Sequence, residues 1–237
     1  PAGSGKTTVL IERVKELIRR GTPASEILCM SFNRDAKVEI GGRLLKAGID
    51  GVVVRSFHGM SLGILKEENR LRKKIGGLDD TLIKQIIDQV VGEMSQPLET
   101  PLDISQVRNA ISNFKLAAMV SPGQALAMAS ATEIKELLLA RIFQLHELEL
   151  NRRGLLDFDD LVANAVRLLQ TDQKIRHRWQ ERFKRVLVDE YQDIEPSQAL
   201  LVGILAAPQD SLFCVGDEDQ CIYAWRRATV QRIIELD

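Results

Sequence analysis

The chain has 237 residues, 45% of them hydrophobic and 27% charged, with a net charge of −1. That is an ordinary globular composition with room for one large domain or two small ones, and it excludes a disordered chain, a collagen-like chain and a disulfide scaffold. No apolar run approaches the ~18 to 20 residues of a membrane helix, no secretory signal is visible, and near-neutrality argues against a simple nucleic-acid-coating protein.

Gly3-Ser4-Gly5 opens the chain, and Thr7 to Arg20 reads as a helix with Val9, Leu10, Val14, Leu17 and Ile18 at helical spacing. Gly21-Thr22-Pro23 stops it, Ile27 to Phe32 predicts a buried strand, and Ala36 to Ala47 a helix weakened by Gly41-Gly42. Val52-Val53-Val54 is a β-branched strand, so residues 1–65 alternate helix and strand as a parallel α/β sheet does. Residues 66–150 read as almost wholly helical, with no strand of quality: Leu82 to Met94, Ile104 to Lys115, Pro122 to Ala129 and Glu133 to Leu150, with Asp79-Asp80 and Ser121-Pro122 as helix starts. The α/β pattern resumes in residues 151–237, with helices over Phe158–Leu169 and Ser197–Ala206 and strands over Arg185–Asp189 and Leu212–Asp217. The expected fold is α/β, a parallel sheet with an all-helical subdomain inserted between its two halves.

Three clusters carry chemistry. Pro1-Ala2-Gly3-Ser4-Gly5-Lys6-Thr7 has the end of a phosphate loop, with the leading glycine of G-x-x-x-x-G-K-[ST] falling before Pro1. Small residues let backbone N–H groups face phosphate oxygens, Lys6 would reach the β- and γ-phosphates, and Thr7 would ligate Mg²⁺. The helix that follows would aim its positive end at the anion. Alone the motif is only suggestive, because a chance Gly-Lys-Ser/Thr occurs in roughly one chain of this length in ten.

The second cluster is Val186-Leu187-Val188-Asp189-Glu190-Tyr191-Gln192-Asp193, an apolar strand that delivers two acids at its C-terminal end. Asp189 would hold Mg²⁺ and Glu190 would polarise the attacking water. An acidic first turn of a helix is the competing reading. The third cluster runs from Val215 to Arg227 and joins acids, Gln220, Tyr223, Trp225 and two arginines. Gln220 would sense a γ-phosphate, Trp225 and Tyr223 would stack on bases, and Arg226 would contact a phosphate. Core packing is the competing reading for Tyr223.

The remaining residues read more plainly. Cys29, Cys214 and Cys221 have no zinc spacing and fit a reducing compartment, with Cys29 and Cys214 as buried small hydrophobes. His146 and His177 read as partly exposed helical residues, and the basic run Lys174 to Arg185 as a solvated helix face.

In this order, the clusters resemble superfamily 1A DNA helicases, the UvrD/Rep/PcrA group. Gly3-Ser4-Gly5-Lys6-Thr7-Thr8 looks like motif I, Ser31 to Ala36 like motif Ia, and Ser56-Phe57-His58-Gly59 like the T-F-H-S of motif Ib. Leu156-Asp157-Phe158-Asp159-Asp160-Leu161 looks like the D-F-D-D-L segment, Val188 to Asp193 like motif II, and Val215 to Arg226 like motif III. Ile111 to Lys115, followed by Ser121-Pro122, resembles part of the family's helical 1B subdomain. Arg34-Asp35, Cys221, Arg227 and Gly59 depart from the usual pattern, and Gly59 is reminiscent of the RecB/AddA helicase–nuclease branch.

The resemblance implies a RecA-like P-loop NTPase sheet: domain 1A in residues 1–65 and 151–237, and helical subdomain 1B in residues 66–150. It implies ATP and Mg²⁺ as cofactors, with Ala2, Gly3, Ser4, Gly5, Lys6, Thr7 and Thr8 around the triphosphate, Thr7 and Asp189 on the metal, and Lys6, Asp189, Glu190 and Gln220 as the catalytic set. It places Phe32, His58, Tyr223, Trp225 and Arg226 along a single-stranded DNA groove, although a structural role competes for His58. Single-stranded DNA and its junctions with duplex are the implied partners, 3′-to-5′ the implied direction, and a cytoplasmic, nucleoid-associated protein in DNA repair or replication the implied setting. Nothing in the sequence resembles motifs IV to VI, so it reads as a fragment that lacks the strand before its phosphate loop and the arginines of a second RecA-like domain (2A/2B). Such an arginine is worth ~10³ to 10⁵ in rate. A helicase-like binding module without motor activity, and a different P-loop ATPase, stay open as alternatives.

Overall fold

The computed structural model of the chain describes residues 5–93, 101–129, 134–207 and 211–216. Helix α1 (Lys6–Arg19) starts directly after Gly5, whose φ of +80° is a left-handed turn that glycine adopts without a Cβ clash. Strand β1 (Ile27–Ser31) is buried at every residue. Helix α2 (Arg34–Lys46) is capped by Asn33, which accepts the Ala36 N–H at 2.8 Å, and it runs unbroken through Gly41-Gly42. Strand β2 (Val53–Ser56) passes without a loop into α3 (Phe57–Glu67), capped by Ser56.

The middle of the chain is helical, as its periodicity predicts. After the two-residue strand β3 (Lys74–Ile75) come α4 (Asp80–Gly92), capped by Asp79, and α5 (Ile104–Ser112), capped by Asp103. The helix expected over Ile104–Lys115 changes pitch after Ser112 into a π-helical turn, Asn113–Ala117. Then follow α6 (Pro122–Met128), with a Ser121/Gln124 capping box, and the long α7 (Ile134–Arg152). Strand β4 (Leu155–Leu156) pairs in parallel with β3. This two-residue ladder is a correction to the all-helical reading of residues 66–150. It is too short to show a period of two, and it joins the two ends of the helical segment at their base.

The second α/β portion consists of α8 (Phe158–Thr171), α9 (Gln173–Arg182), β5 (Arg185–Val188), a 3₁₀ turn (Tyr191–Asp193), α10 (Pro196–Ala206) and β6 (Leu212–Cys214). The basic run over α9 is not simply a solvated face. Trp179 is buried and donates to Glu68 at 2.9 Å, Arg182 pairs with Glu67 at 2.9 Å, and Arg178 pairs with Glu68. His146 is also buried, 3.2 Å from Glu147, and not partly exposed as helical position alone suggested; His177 is exposed.

The main sheet is wholly parallel, in the order β2-β1-β5-β6. Alternate residues of the central strands serve different cores. Leu28, Met30, Val186 and Val188 pack with α3, α8, α9 and α10, whereas Ile27, Cys29 and Leu187 pack with α1 and α2. Both faces are covered, which is why these strands read as unbroken apolar runs. A third core belongs to the helical segment, built on Ile83, Ile87, Val107, Ile142, Phe143 and Leu150. No helix among the described residues is long and apolar enough to cross a membrane.

Candidate functional site

Parallel strands deliver all their C-terminal ends to one edge, and the sequence places its motifs on those ends. Across the sheet, β2 leads to His58, β1 to Phe32, β5 to Asp189-Glu190, and β6 to Val215-Gly216. With strands about 4.8 Å apart, the ends of β2 and β5 are about 10 Å apart. The edge is tied by backbone bonds beyond the regular ladder: Asp189 N–H donates to Met30 O at 3.0 Å, Val215 N–H to Val188 O at 2.9 Å, and Tyr191 N–H to Val215 O at 3.0 Å.

The first and second clusters meet there. Lys6 Nζ lies 2.6 Å from Glu190 Oε2, although 184 residues separate them in sequence. Thr7 Oγ1 donates to Asp189 Oδ2 at 3.4 Å. Gln192 Nε2 donates to the same Glu190 oxygen at 2.6 Å and stands 3.4 Å from Asp193 Oδ2. Glu190 itself adopts a left-handed backbone, φ 53° and ψ 49°. For a non-glycine residue this costs about 1–2 kcal/mol, and it turns the chain so that consecutive acids face one site.

Burial raises Asp189 above the ordinary carboxylate range, the neighbouring Glu190 charge adds to the rise, and the Thr7 bond and Lys6 oppose it. Asp193 is pushed up to about 6, by burial first and then by Glu190. One Asp193 oxygen, Oδ1, is buried without a hydrogen-bond partner. Among the described residues the edge thus gathers Asp189, Glu190 and Asp193 around Lys6, an excess of acid over base. A hydroxyl beside a buried carboxylate is a hard-oxygen donor set of the kind Mg²⁺ takes. The ammonium of Lys6 and the N-terminus of α1 supply positive charge for phosphate oxygens. Thr8, also expected at the phosphates, is exposed in the first turn of α1 and accepts from Arg43 at 3.3 Å.

Farther along the same edge, Phe32 and His58 are half-buried. Phe158, at the first position of α8, is 62% exposed, and its ring meets His58 edge-on at 6.3 Å between centroids. An exposed aromatic is an unusual first residue for an amphipathic helix, and it makes a flat apolar surface beside His58. The sequence reading used Phe158 only as part of a motif and did not assign it a role. Helical spacing sets Phe158 in line with the buried Leu161, Val162 and Ala165, so the pattern alone reads it as core, and it is its place at the very start of the helix, before the first buried turn, that leaves it exposed. In the adjoining turn the space is tight: a Cβ on Gly59 would come 3.1 Å from Ser56 Oγ, which caps α3 by accepting the Gly59 N–H. Several expected site residues lie outside the described residues: Ala2, Gly3, Ser4, Gln220, Tyr223, Trp225 and Arg226.

Comparison with known proteins is consistent along the whole chain. The family model of the UvrD/REP helicase N-terminal domain matches residues 1–237. The chain is 33% identical to the ATP-dependent DNA helicase Rep of Escherichia coli strain K12, over 99% of its own length and 35% of that protein's. It is 32% identical to ATP-dependent DNA helicase UvrD1 of Mycobacterium leprae, over 100% of its own length and 33% of the relative's. With ATP-dependent DNA helicase PcrA of Staphylococcus aureus strain COL the identity is 30%, over 100% and 33% of the respective lengths. The chain therefore spans about a third of the length of the curated relatives it matches. A parallel α/β sheet, a lysine and a paired acid on its C-terminal edge, and a family match over the full 237 residues agree: the chain belongs to the UvrD/REP helicase N-terminal domain family.

Proposed function

We propose that the chain is the first RecA-like half of an ATP-dependent DNA helicase, with domain 1A in residues 1–65 and 151–237 and the helical subdomain 1B in residues 66–150. The meeting of Lys6 with Glu190 at 2.6 Å, beside Thr7 and Asp189, carries this reading. It joins the phosphate-loop residues and the paired acids at one edge of a parallel sheet, where nucleotides bind in such folds. In this reading Gly3 to Thr8 cradle the triphosphate, and Lys6 exchanges Glu190 for phosphate oxygens when ATP enters. Thr7 and Asp189 would hold Mg²⁺, which would supply charge neutralisation for the triphosphate. Glu190 accepts the proton of the attacking water, and Gln192 orients its carboxylate. Gln220 couples the γ-phosphate to the DNA site.

Phe32, His58, Tyr223, Trp225 and Arg226 line a groove for single-stranded DNA, and Phe158 extends it with an exposed ring. Stacking of this kind is tolerant of base identity, which suits a motor that must pass every sequence. The full protein would translocate 3′ to 5′ and open junctions of single-stranded and duplex DNA in repair or replication. The chain by itself would bind nucleotide and turn it over weakly, because the second RecA-like domain supplies part of the site.

Phosphate release from ATP, measured with and without oligo(dT), tests the proposal on the full-length protein. Stimulation by single-stranded DNA is the expected result. An ATPase indifferent to DNA overturns the motor reading, and robust unwinding by residues 1–237 alone overturns the division of labour between two domains.

A further inference from the structure

Lys115 is a charged residue at the junction of two cores. The π-helical turn that carries it (Asn113–Ala117) sends Leu116 into the core of the main sheet, while Phe114 packs with the core of the helical segment. Lys115 points between them and is only 5% exposed. Its ammonium lies 2.6 Å from Glu147 on α7, 2.7 Å from Asp157 and 2.8 Å from Asp160 at the start of α8. Asp157 and Asp160 are also the reciprocal capping box of α8: Asp157 accepts the Asp160 N–H at 2.9 Å, and Asp160 accepts the Asp157 N–H at 3.1 Å. One cation thus holds both acids that start this helix. The next residue after Asp157 is Phe158, the exposed ring against His58.

The charge balance makes this arrangement dependent on the lysine. Three carboxylates share one ammonium, with the half-buried Asp159 alongside and His146 bonded to Glu147. Burial, with the charges of Asp157 and Glu147 adding to it and Lys115 opposing, pushes Asp160 up to about 6. His146, Glu147 and Asp157 place ligand atoms within 4.8 Å of one another, as a metal site would, but the Lys115 ammonium already fills that position. A cavity of about 340 Å³, lined by Lys115, Glu147, Asp160 and Arg167 among others, adjoins the cluster. It gives α8 room to shift once the carboxylates repel.

We infer that Lys115 is a positioning residue for the DNA groove: by neutralising Glu147, Asp157 and Asp160 it fixes the start of α8, and so sets Phe158 against His58. This rests on the functional reading above. It makes the helical segment the element that tunes the DNA platform.

The test uses the full-length protein and the oligo(dT) concentration that half-stimulates ATP turnover. Lys115→Met removes the charge and keeps an apolar chain of similar length. It is expected to raise half-stimulation about tenfold, the order of one lost base–aromatic stack, with turnover at saturating oligo(dT) within twofold of wild type. In a Phe158→Ala background the same change is expected to add less than twofold, since the lysine acts through that ring. Lys115→Met with Asp160→Asn removes one of the repelling charges and is expected to return half-stimulation to within threefold of wild type. That variant also carries the test if Lys115→Met alone does not fold. A Lys115→Met protein equal to wild type, effects of Lys115→Met and Phe158→Ala that simply multiply, or a double variant worse than Lys115→Met overturns the inference. A wild-type ATPase that oligo(dT) does not stimulate at all fails the functional reading instead.

Discussion

Glu190→Gln separates the chemistry of the site from its binding. Glu190 pairs with Lys6 at 2.6 Å, and their side chains are 31% and 12% exposed. A half-shielded pair of this kind is worth about 1 kcal/mol, and ATP must displace it to reach Lys6. Glutamine still accepts the Gln192 bond and meets the same left-handed backbone requirement, so the fold loses little. It drops the charge that competes with phosphate. Nucleotide affinity is therefore expected to hold or tighten by up to about fivefold, from about 1 kcal/mol of removed competition. Turnover is expected to fall by ~10² to 10⁴, the usual contribution of a general base. Fluorescent ATP titration in Mg²⁺ gives the first quantity, and phosphate release from the full-length protein with oligo(dT) gives the second. Turnover within tenfold of wild type, or affinity weakened more than fivefold, would refute the assignment of Glu190 as base and place it among the residues that hold the nucleotide.

Three further outcomes follow from the same geometry. Phe158→Ala is expected to cost little stability, because the ring is 62% exposed, and to weaken oligo(dT) binding by about 5- to 150-fold, measured by anisotropy and corresponding to ~1–3 kcal/mol of stacking. Cys29 is fully buried, and Cys29 and Cys214 are both pushed up to about 12 chiefly by burial. Peptide mass spectrometry after iodoacetamide at pH 8 should therefore find both unmodified in the native chain and alkylated in denaturant. Asp193 is held at about 6, against an ordinary carboxylate near 4, so the folded state keeps its proton longer than the unfolded chain does. That contribution to stability is present at low pH and declines as pH rises between about 4 and 6. Asp193→Asn is accordingly expected to melt higher than wild type at pH 7.5, with the gap closing at pH 5; melting curves that keep the same gap at both values contradict this.

Much of the fold was legible because its rules are local or periodic. The apolar runs within Ile27–Phe32 and Arg185–Asp189 predicted strands, and both supply central strands of the sheet, Ile27–Ser31 and Arg185–Val188. Asp79 and Ser121 marked helix starts by their capping chemistry, and both side chains accept backbone N–H groups as expected. The grouping of Lys6 and Thr7 with Asp189 and Glu190 was also legible, since phosphate-loop and strand-end acids serve one ligand in a parallel sheet. What stayed hidden were features that depend on distant segments and on very short ladders. The β3–β4 pair has two residues per strand, and no periodicity survives at that length.

The candidate chemistry of the chain is written in its residue order. Residue types and their order along the chain show the end of a phosphate-loop pattern, paired acids after an apolar run and an aromatic-arginine segment, all readable without folding detail. How the side chains are held is a matter of the fold. It showed that Lys115, an ordinary lysine in a helical run, is buried among Glu147, Asp157 and Asp160, and that His146 is interior. It also showed that Phe158 is left outside its core, against His58. Burial and Coulomb partnership are properties of three-dimensional neighbours. Residues 42 and 45 positions apart, as Lys115 is from Asp157 and Asp160, leave no trace of their contact in local pattern.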